Sequence, residues 1–534
     1  MKNIILTGFM GTGKTTVGNQ VAEQLQRSFV DMDAAIETRA GKPISRIFSE
    51  DGEAAFREME TNLCAELSGQ KGLVIATGGG TLVDAPNRER MMRSGTVICL
   101  GCEPTSILRR LSAAQRAARP LLSVPDPLSR LEKLLEARRE AYAAIRWHID
   151  TTNLRPREVV ARVIDAAQTI TLTVRFPTGQ YDIHIGEGLL AHLGEIMRGA
   201  GIPEGGLVAV VTNPVVEELY SRAVKAALRS AGYQPLGCSV PDGEQYKTLD
   251  TVAGLYEQFT AGDVDRTDTV MALGGGVTTD LAGYAAATFM RGIRLVHVPT
   301  TLLAMVDATT GGKTGVDLPQ GKNLVGAFKQ PALVVADPTV LDTLPSREVR
   351  AGMAETIKHA IVGAPELFGQ LEGAAQASPA QQPPIGAGWI ARSLRVKAKI
   401  VEEDPFERGR RSVLNLGHTL GHALEALSAF RLRHGEAVSI GITAAGRIAV
   451  ARGLADDSLV HRIETVFTGW GLPVQCPGYE IESIWAAMKR DKKRQARRLR
   501  WVLPRAVGDV GIFDDVTPDQ VRSVLRAMGA GEGG

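Results

Sequence analysis

A glycine-rich stretch near the start of the chain, from Gly8 to Thr15, has the spacing G-x-x-x-x-G-K-[ST]. An apolar run precedes it and a helical pattern follows it. Its backbone can therefore wrap the phosphates of a nucleotide, while N–H groups at the helix start point at the anion. Lys14 would reach the β- and γ-phosphates, and the Thr15 hydroxyl would help to hold Mg²⁺. The pattern predicts a nucleoside triphosphate site that includes Gly11, Thr12, Gly13, Lys14, Thr15 and Thr16.

Two aspartates, Asp31 and Asp33, end the next apolar run. Side chains at positions i and i+2 of a strand point to the same side, and the carboxyl edge of a parallel sheet is where ligands bind. One carboxylate can support Mg²⁺, and the other can accept a hydrogen bond from a hydroxyl. The pattern predicts a hydroxyl acceptor beside the phosphates, with a solvated acidic turn as the alternative.

Separated arginines in the same part of the chain indicate an anionic ligand. The candidates are Arg57, Arg119 in R-P-L-L, and Arg138 four residues before Tyr142, and three glycines occupy 78–80. Guanidinium groups bind carboxylates and neutralise the charge on a transferring phosphoryl group. Any one of these arginines alone is equally typical of a helix surface. Only the whole set points to a small-molecule kinase.

Two histidines, His418 and His422, are spaced i and i+4, which places them on one face of a helix. His434 follows after a short gap, and Glu355 in G-M-A-E can supply a further ligand. Imidazoles and a carboxylate with one open position are typical of a catalytic Zn²⁺ site. A pair of surface histidines is the alternative.

A second glycine stretch, L-G-G-G-V-T-T-D at 273–280, follows a strand pattern and precedes a helical one. It is not G-x-G-x-x-G, which argues against a Rossmann motif, but a backbone at a helix start can still approach a pyrophosphate. A purely steric turn is the alternative. Clustered basic residues further on indicate a phosphorylated, acidic substrate, and these are Lys313, Lys322, Lys358, Lys397 and Arg411.

The chain has 534 residues, of which 44% are hydrophobic and 22% charged, so two or three globular domains are expected. The net charge of +2 favours no class of partner. Five scattered cysteines suit a reducing cytoplasm, and a redox or metal role for Cys99 and Cys102 is a minor alternative. Without a signal peptide or an apolar run of about 18 residues, we expect a soluble cytoplasmic protein that makes no membrane contact.

The predicted fold class is α/β throughout the first two-thirds of the chain. Strand and helix patterns alternate over 1–168, which predicts a parallel sheet covered by helices. At 169–185 an alternating pattern around a Pro-Thr-Gly turn predicts an antiparallel hairpin that opens a second module. Strand–helix alternation then returns, and the patterns beyond residue 338 are mainly helical. The individual strands are predicted at 4–7, 73–76, 96–100, 207–211, 270–273 and 295–298.

Residues 1–168 resemble shikimate kinase in the phosphate loop, the D-x-D, GE-x-x-FR-x-x-E at 52–60, the triple glycine, R-P-L-L and R-x-x-x-Y. The resemblance implies a kinase domain with a phosphate loop that uses ATP and Mg²⁺ to phosphorylate the 3-hydroxyl of shikimate. Asp33 would orient that hydroxyl and take its proton, Asp31 would support Mg²⁺ through water, and Arg119 would close over the phosphates. The implied shikimate-binding residues are Asp33, Arg57, Gly79, Gly80 and Arg138.

Residues 169–534 resemble 3-dehydroquinate synthase. The motifs are PDGEQYK at 241–247, ALGGGVTTD at 272–280, MRG at 290–292, PTTLLAMVD at 299–307, GGKT at 311–314, GKNL at 321–324, GMAE at 352–355, LN-x-GH-x-x-GH at 414–422 and HGE at 434–436. The resemblance implies an α/β NAD-binding part at 169–337 and a helical metal- and substrate-binding part at 338–534. Its activity would be the NAD- and metal-dependent conversion of 3-deoxy-D-arabino-heptulosonate 7-phosphate to 3-dehydroquinate and phosphate.

The same resemblance implies the roles of individual residues in the second module. Glu355, His418 and His434 would bind Zn²⁺ or Co²⁺, and His422 would move a proton. The residues implied to hold NAD are Glu244, Lys247, Gly275, Gly276, Asp280, Thr300 and Thr301. Those implied to hold the heptulosonate phosphate are Arg291, Asp307, Lys313, Lys322, Asn323, Lys358, Lys397, Arg411, Asn415, His422 and Lys492.

The two modules together predict a bifunctional enzyme of aromatic amino acid precursor synthesis. One departure from the family pattern is Ala308-Thr309-Thr310, where the family usually has Ser-Ser-Val. The basic stretch 489–500 lacks aromatic residues for stacking, so we expect no nucleic-acid partner. The expected partners are small-molecule substrates and a second copy of the chain, bound through the synthase module. The alternatives are a related sugar-phosphate cyclase or an NAD-dependent alcohol dehydrogenase in the second module, and a nucleotide-sensing regulator in the first.

Overall fold

The computed structural model describes residues 1–111, 124–145, 147–377, 385–429, 431–493 and 499–532, with the side chains of 490–493 excepted. The chain divides into two compact units. The first unit comprises 1–169 together with the segments 191–204 and 230–232, and the second unit comprises the remainder. None of the described helices is long and apolar enough to cross a lipid bilayer.

The first unit contains a five-stranded parallel sheet. Successive residues of the central strand face opposite sides, because Ile5 packs in one buried cluster while Ile4 and Leu6 pack in another. A strand that is apolar on both faces is typical of a parallel sheet with helices on either side. In spatial order the strands are Phe29–Asp31, Val74–Ala76, Asn3–Gly8, Gly95–Gly101 and Trp147–Asp150.

The helices of the first unit begin at recognisable sequence signals. Pro104, Pro127 and Pro156 stand in first turns, where the missing proline N–H costs no hydrogen bond, and Asp84 and Asp126 cap helix starts with their carboxylates. The described helices are Lys14–Gln24, Met32–Ala40, Ile44–Glu50, Gly52–Ser68, Ala85–Ser94, Pro104–Arg110, Pro127–Glu136, Arg139–Ala143, Pro156–Gln168 and Leu193–Gly199.

The second unit contains a seven-stranded sheet. Its first two strands form the predicted antiparallel hairpin, and the other strands run parallel to one another. The α/β prediction is therefore confirmed for both modules. In spatial order the strands are Ile170–Phe176, Gly179–Ile185, Leu333–Ala336, Arg294–Pro299, Thr269–Gly274, Leu207–Thr212 and Gln234–Ser239.

Two hairpins stand apart from this sheet. Lys313–Leu318 pairs with Gly321–Phe328, and Trp501–Ala506 pairs with Asp509–Phe513. The second hairpin is a strand pair that the mainly helical pattern toward the end of the chain did not predict. Its strand contains Pro504, which is unusual within a strand, and this obscured the pattern.

The helices after residue 338 confirm the prediction of a mainly helical C-terminal part. Among the described residues, one helix ends at Ala375 and another begins at Ala387. The longer helices described in the second unit are Arg222–Ser230, Leu249–Ala261, Gly276–Thr288, Ser346–Gly363, Pro365–Ala375, Ala387–Glu403, His418–Leu427, His434–Ala451, Asp457–Gly469, Ile481–Lys493 and Pro518–Ala527.

Candidate active sites

The phosphate loop of the first unit joins the central strand to the helix Lys14–Gln24. Gly8, Gly11 and Gly13 have φ angles of 132°, 78° and 97°, a region that residues with a Cβ rarely adopt. A Cβ on Gly8 would also lie 2.2 Å from the carbonyl oxygen of Leu100. The turn from strand to helix therefore depends on these glycines.

Lys14 and Thr15 are both held at this loop. The Lys14 Nζ donates hydrogen bonds to the carbonyl oxygens of Gly8, at 2.8 Å, and Phe9, at 3.0 Å. The Thr15 hydroxyl donates to Asp31 Oδ2 at 2.7 Å. The structure thus brings together the hydroxyl and the carboxylate that were assigned to Mg²⁺.

The spacing of Asp31 and Asp33 predicted that both lie on one side of a strand, but they do not share a strand. The strand ends at Asp31 and a helix begins at Met32. The Asp31 carboxylate caps that helix and accepts a hydrogen bond from the backbone N–H of Asp33 at 3.1 Å. Asp33 lies in the first turn, where burial, reinforced by the charge of Asp31, raises the pKa of its carboxyl to about 6.

Arg57 and two glycines of the triple-glycine turn meet around Glu60, a residue to which the sequence interpretation gave no role. The Glu60 carboxylate is buried and accepts a hydrogen bond from Arg57 Nη1 at 2.6 Å. A Cβ on Gly80 would lie 2.8 Å from Arg57 Nη1, and a Cβ on Gly78 would lie 2.8 Å from Asp33 Oδ1. The turn can approach both side chains because it lacks side chains of its own.

Arg138 and Tyr142 reach the same turn. Arg138 Nη1 donates to the carbonyl oxygen of Gly79 at 2.7 Å, and the Tyr142 hydroxyl donates to the same oxygen at 2.8 Å. The Arg138 guanidinium lies over the Phe9 ring, 4.9 Å from its centroid. Arg138 therefore connects the triple glycine to the phosphate loop. Arg119 lies outside the described residues, and its role stays a prediction.

In the second unit, the glycine stretch and the Thr300–Thr301 pair follow two neighbouring parallel strands at their carboxyl ends. The Thr300 N–H donates to the carbonyl oxygen of Gly274 at 3.0 Å. A Cβ on Gly275 would lie 3.1 Å from Thr301 Cγ2, and a helix begins at Gly276. The Thr300 hydroxyl is buried and has no hydrogen-bond partner within the described part of the chain. This sheet edge has the backbone and the helix start that a nucleotide needs.

A polar network adjoins the helix that follows this glycine stretch. The buried Lys247 Nζ lies 2.5 Å from Asp280 Oδ2 and donates to Asn323 Oδ1 at 2.6 Å. Burial lowers the pKa of Lys247, but the charges of Asp280 and Glu244 outweigh that effect and raise it. Glu244 in turn pairs with Lys322 at 3.0 Å. Five residues predicted to bind NAD or substrate therefore form one contiguous set.

Glu355, His418 and His434 come from three helices and meet in the second unit. Glu355 Oε1 lies 3.4 Å from His434 Nε2 and 3.8 Å from His418 Nε2. One ligand atom from each residue falls within 4.8 Å of the others. Glu355 is fully buried, and its oxygens have no hydrogen-bond partner among the described residues, although Lys358 forms an ion pair with it.

This donor set fits a divalent metal. A carboxylate with two imidazoles is a typical ligand set for Zn²⁺ or Co²⁺. Close helix packing fixes the arrangement. A Cβ on Gly435 would lie 2.2 Å from the carbonyl oxygen of Ala351, and one on Gly441 would lie 1.9 Å from that of Gly417. Glycine at these positions lets the three helices approach.

His422 and Glu425 border the metal ligands on the helix His418–Leu427. The His422 ring centroid lies 5.2 Å from that of His418 and 6.3 Å from that of His434. His434 Nδ1 lies 3.4 Å from Glu425 Oε2. Burial lowers the pKa of His434, but the carboxylates of Glu355 and Glu425 outweigh it and raise that pKa to about 10. His434 therefore sits where a positive charge is favoured.

Asp307 and Lys397 form a second charged pair near the metal ligands. Lys397 Nζ donates to Asp307 Oδ1 at 2.6 Å and to the Asp307 carbonyl oxygen at 2.5 Å. Burial raises the pKa of the Asp307 carboxyl, but the Lys397 charge outweighs this and holds it well below its ordinary range. His359 Nε2 lies 3.8 Å from the same Asp307 oxygen. Asp307 is therefore held in its charged form, whereas burial lowers the pKa of Lys397.

Lys313, Asn415 and Arg411 are placed around further polar groups. Lys313 forms an ion pair with Glu407, whose other oxygen accepts a hydrogen bond from Asn415 Nδ2 at 3.0 Å. The buried Arg411 donates to the carbonyl oxygens of Gly311, at 3.1 Å, and Pro405, at 2.7 Å. Burial lowers the pKa of Arg411.

One predicted substrate residue, Arg291, makes no side-chain contact with these groups in the described part of the chain. Arg291 is exposed and has a φ of 66°, and its side chain makes no hydrogen bond or ion pair within the described part of the chain. The Lys492 side chain lies outside the described residues.

The segment Ala308-Thr309-Thr310, which departs from the family pattern, contacts its own backbone. The Thr309 hydroxyl donates a hydrogen bond to the carbonyl oxygen of Ala304 at 2.9 Å.

The residues that the sequence interpretation missed are carboxylates that hold other site residues. Glu60 stood within the quoted GE-x-x-FR-x-x-E motif, and its i+3 spacing from Arg57 is a usable signal. Glu425 follows His418 by seven residues, which places both on one helix face. Glu407 is in a loop, and nothing in its spacing pointed to Lys313.

These features define a class of protein: a kinase unit with a phosphate loop, followed by an α/β enzyme unit with a carboxylate–histidine metal site. Family models agree, with shikimate kinase matching residues 10–168, the 3-dehydroquinate synthase N-terminal domain 237–351 and its C-terminal domain 352–494. The chain belongs to the shikimate kinase and 3-dehydroquinate synthase families, with the kinase first, and is a bifunctional enzyme with both activities.

Relatives and solved structures match the second module. The 3-dehydroquinate synthase of Nostoc punctiforme is 45% identical over 364 residues, which are 67% of this chain and 100% of the relative. A 2-epi-5-epi-valiolone synthase from Streptomyces hygroscopicus, solved with NAD⁺ and Zn²⁺, is 30% identical with a TM-score of 0.59, over 65% of this chain and 96% of that one. A 2-deoxy-scyllo-inosose synthase solved with carbaglucose-6-phosphate, NAD⁺ and Co²⁺ is 26% identical with a TM-score of 0.60, over 67% and 100%.

Proposed function

We propose that residues 1–168 phosphorylate the 3-hydroxyl of shikimate with MgATP, and that residues 169–534 convert 3-deoxy-D-arabino-heptulosonate 7-phosphate to 3-dehydroquinate and phosphate. Within the second module, 169–337 binds NAD and 338–534 binds the metal. The convergence of Asp33, Arg57 and the triple glycine supports the kinase assignment. The convergence of Glu355, His418 and His434 supports the synthase assignment.

In the kinase site, Asp33 is the proton acceptor. Its raised pKa makes the carboxylate a better base than an exposed aspartate, and the shikimate hydroxyl loses its proton to Oδ1 or Oδ2 as it attacks the γ-phosphoryl group. Arg57 and Arg138 bind the shikimate carboxylate, and Gly79 and Gly80 let the ring approach the turn.

The phosphate side of the kinase site is assigned to the loop. Lys14 would leave the carbonyl oxygens of Gly8 and Phe9 and bind the β- and γ-phosphates, while Thr15 binds Mg²⁺ and Asp31 supports it through water. Arg119 would close over the phosphates. The remaining ATP-binding residues of the proposal are Gly11, Thr12, Gly13 and Thr16.

In the synthase site, Glu355, His418 and His434 would hold Zn²⁺ or Co²⁺, and the edge with Gly275, Gly276, Thr300 and Thr301 would hold NAD, together with Glu244, Lys247 and Asp280. When bound, the metal polarises substrate hydroxyls, and NAD takes up and returns a hydride, so that no net oxidation results. The two structures cited above, of 30% and 26% identity and with NAD⁺ and Zn²⁺ or Co²⁺, support this choice of cofactors.

The synthase substrate is bound by this chain's own charges. His422, next to the ligand set, accepts and returns protons of the substrate hydroxyls at its imidazole nitrogens. The Asp307 carboxylate accepts hydrogen bonds from substrate hydroxyls, the side-chain amides of Asn323 and Asn415 accept or donate them, and the cations bind the carboxylate and the phosphate. The proposed set is Arg291, Asp307, Lys313, Lys322, Asn323, Lys358, Lys397, Arg411, Asn415 and Lys492.

The experiment is a pair of assays on the purified full-length chain, with metal and NAD present. Phosphate release is followed from heptulosonate phosphate, and ADP release from ATP is followed with and without shikimate. Both activities support the proposal. Phosphate release without shikimate-dependent ADP release would refute the kinase assignment and favour a nucleotide-sensing regulator.

The similarity to the structures of a 2-epi-5-epi-valiolone synthase and a 2-deoxy-scyllo-inosose synthase favours a related sugar-phosphate cyclase as the second candidate for the second module. NMR of the product distinguishes the two. 3-Dehydroquinate supports the synthase, whereas a different ring formed from another sugar phosphate supports the alternative.

We also propose that the synthase module forms a homodimer in the cytoplasm. Phe328 and Phe406, with ring centroids 5.4 Å apart, are 47% and 49% exposed, and Leu324 on the same hairpin is 49% exposed. Exposed apolar residues that lie together are candidates for a contact surface. Sedimentation of the wild type and of Phe328→Lys tests this, since a monomeric wild type would refute it.

A further inference from the structure

Glu425 stands between the proposed metal site and the proposed NAD site of the second unit. Its side chain is only 4% exposed, although it is charged. One oxygen, Oε2, lies 3.4 Å from Nδ1 of the metal-ligand candidate His434, and the other, Oε1, accepts a hydrogen bond from Lys322 Nζ at 3.4 Å. Both carboxylate oxygens are therefore engaged, each with a different part of the unit.

Lys322 continues the connection toward the nucleotide side. Its Nζ lies 3.0 Å from Glu244 Oε1, so the ammonium is shared between Glu425 and Glu244. Its neighbour Asn323 accepts a hydrogen bond from Lys247, which pairs with Asp280. Two consecutive residues of one hairpin strand thus contact the metal side and the NAD side.

We propose that Glu425 is a positioning residue that orients His434 and, through Lys322, couples metal binding to NAD binding. This rests on the metal and NAD sites proposed above. A histidine that binds a metal through one nitrogen is held by a hydrogen-bond acceptor at the other, and the carboxylate of Glu425 is that acceptor for Nδ1. NAD bound beside Glu244 fixes Lys322, Lys322 fixes Glu425, and Glu425 fixes the ring of His434.

The coupling is reciprocal, because NAD must lower the Kd of the metal by the same factor by which the metal lowers the Kd of NAD. The metal-free full-length chain is titrated with Co²⁺, without and with saturating NAD, and the visible absorption of bound Co²⁺ gives the Kd. Titration of NAD without and with Co²⁺ gives the second arm of the cycle. For the wild type we expect NAD to lower the Kd of Co²⁺ about tenfold, within the range of typical coupling.

We call the connection from His434 through Glu425 and Lys322 to Glu244 the bridge. Two variants test its two halves separately. Glu425→Gln is expected to weaken Co²⁺ binding by about 10- to 100-fold without NAD and to abolish the effect of NAD on that binding. Lys322→Gln is expected to leave the Kd of Co²⁺ without NAD within about threefold and still to abolish the effect of NAD, since it breaks the bridge beyond Glu425. The second variant keeps the test decisive if the first fails to fold.

A matched control is Glu436→Gln. Glu436 lies two residues after His434, but its carboxylate pairs with Arg347 at 2.8 Å and accepts a hydrogen bond from the Arg433 N–H at 2.9 Å, an acceptor role that glutamine can keep. Its substitution should leave both the Co²⁺ affinity and the coupling unchanged. Shikimate-dependent ADP release by the same preparations shows that the kinase module is intact.

The outcomes separate the bridge from the sites. If the wild type binds Co²⁺ and NAD without coupling, or if Glu425→Gln matches it in both Kd and coupling, the bridge is refuted while the sites stand. If the wild type does not bind Co²⁺, or if His434→Ala binds it equally well, the proposed metal site fails and the bridge fails with it.

Discussion

The Arg57 guanidinium and the Glu60 carboxylate are joined across one turn of the same helix at 2.6 Å. Glu60 is 2% exposed and also accepts a hydrogen bond from the Thr81 hydroxyl, so its position is fixed by the core. Arg57 additionally pairs with Glu53 at 3.0 Å, but that carboxylate is 66% exposed. The buried partner holds the arginine against the triple-glycine turn, and the exposed partner adds little.

We predict that Glu60→Gln raises the KM for shikimate by about tenfold and lowers kcat less. A neutral amide in place of the carboxylate loses the charge-assisted bond to Arg57, so the guanidinium is no longer aimed at the substrate carboxylate. ADP release measured against shikimate concentration checks this.

Glu53→Gln is the matched control, because it removes the other carboxylate that contacts Arg57. An exposed pair of this kind contributes about 0–1 kcal/mol, so the KM should change less than about threefold. Equal effects of the two variants would show that burial of Glu60 does not matter, contrary to the prediction.

The kinase rate should fall as the pH is lowered through the pKa of Asp33. Burial raises that pKa to about 6, against 3.8 for an ordinary aspartate. A proton on the carboxyl below this pH blocks its role as acceptor, so kcat/KM for shikimate should drop about tenfold per pH unit below about pH 6. Asp33→Asn should lose activity by at least about 100-fold and lose this limb of the profile. A flat wild-type profile down to pH 5 would exclude Asp33 as the acceptor.

Local spacing allowed the first elements of both sites to be predicted. The phosphate loop and the His418–His422 pair each depend on residues within one turn or loop, and neither needs knowledge of distant partners. The predicted position of Asp33 on the strand was wrong, and the reason is also local. The strand ended two residues earlier than the pattern suggested, because Asp31 caps a helix.

Contacts between distant segments could not be predicted in the same way. Lys322 and Glu425 are 103 residues apart, and a carboxylate on a helix gives no sequence signal of the hairpin strand that it meets. The segment 191–204 likewise belongs to the first unit although it follows the predicted module boundary. Such placements depend on tertiary packing, which a single sequence does not encode in its periodicity.

We predict that His434→Ala abolishes synthase turnover and leaves the kinase rate unchanged. Removal of the imidazole takes one of three metal ligands and leaves Glu355 and Glu425 facing a gap. The loss of Co²⁺ or Zn²⁺ affinity should exceed the 10- to 100-fold typical of an outer partner. Metal content after dialysis, with both activities on one preparation, is the measurement. Full metal content with retained synthase activity would rule out His434 as a ligand.

The Asp307–Lys397 pair leads to a prediction about stability. The side chains are 29% and 7% exposed, and breaking a buried pair by removing one partner costs about 3–5 kcal/mol. Lys397→Met should therefore destabilise the second unit by about 3 kcal/mol, because Asp307 keeps its charge without its partner. The double variant Asp307→Asn with Lys397→Met should recover most of that loss while the synthase stays inactive, since both residues are proposed to bind substrate.

Urea unfolding followed by tryptophan fluorescence measures this change, and it reports mainly the second unit because Trp147 alone of the 5 tryptophans lies in the first. The kinase assay after refolding serves as the control for the rest of the chain. A double variant as unstable as Lys397→Met would show that the lysine stabilises through its packed aliphatic stem, and the charge of Asp307 would then not be the cause.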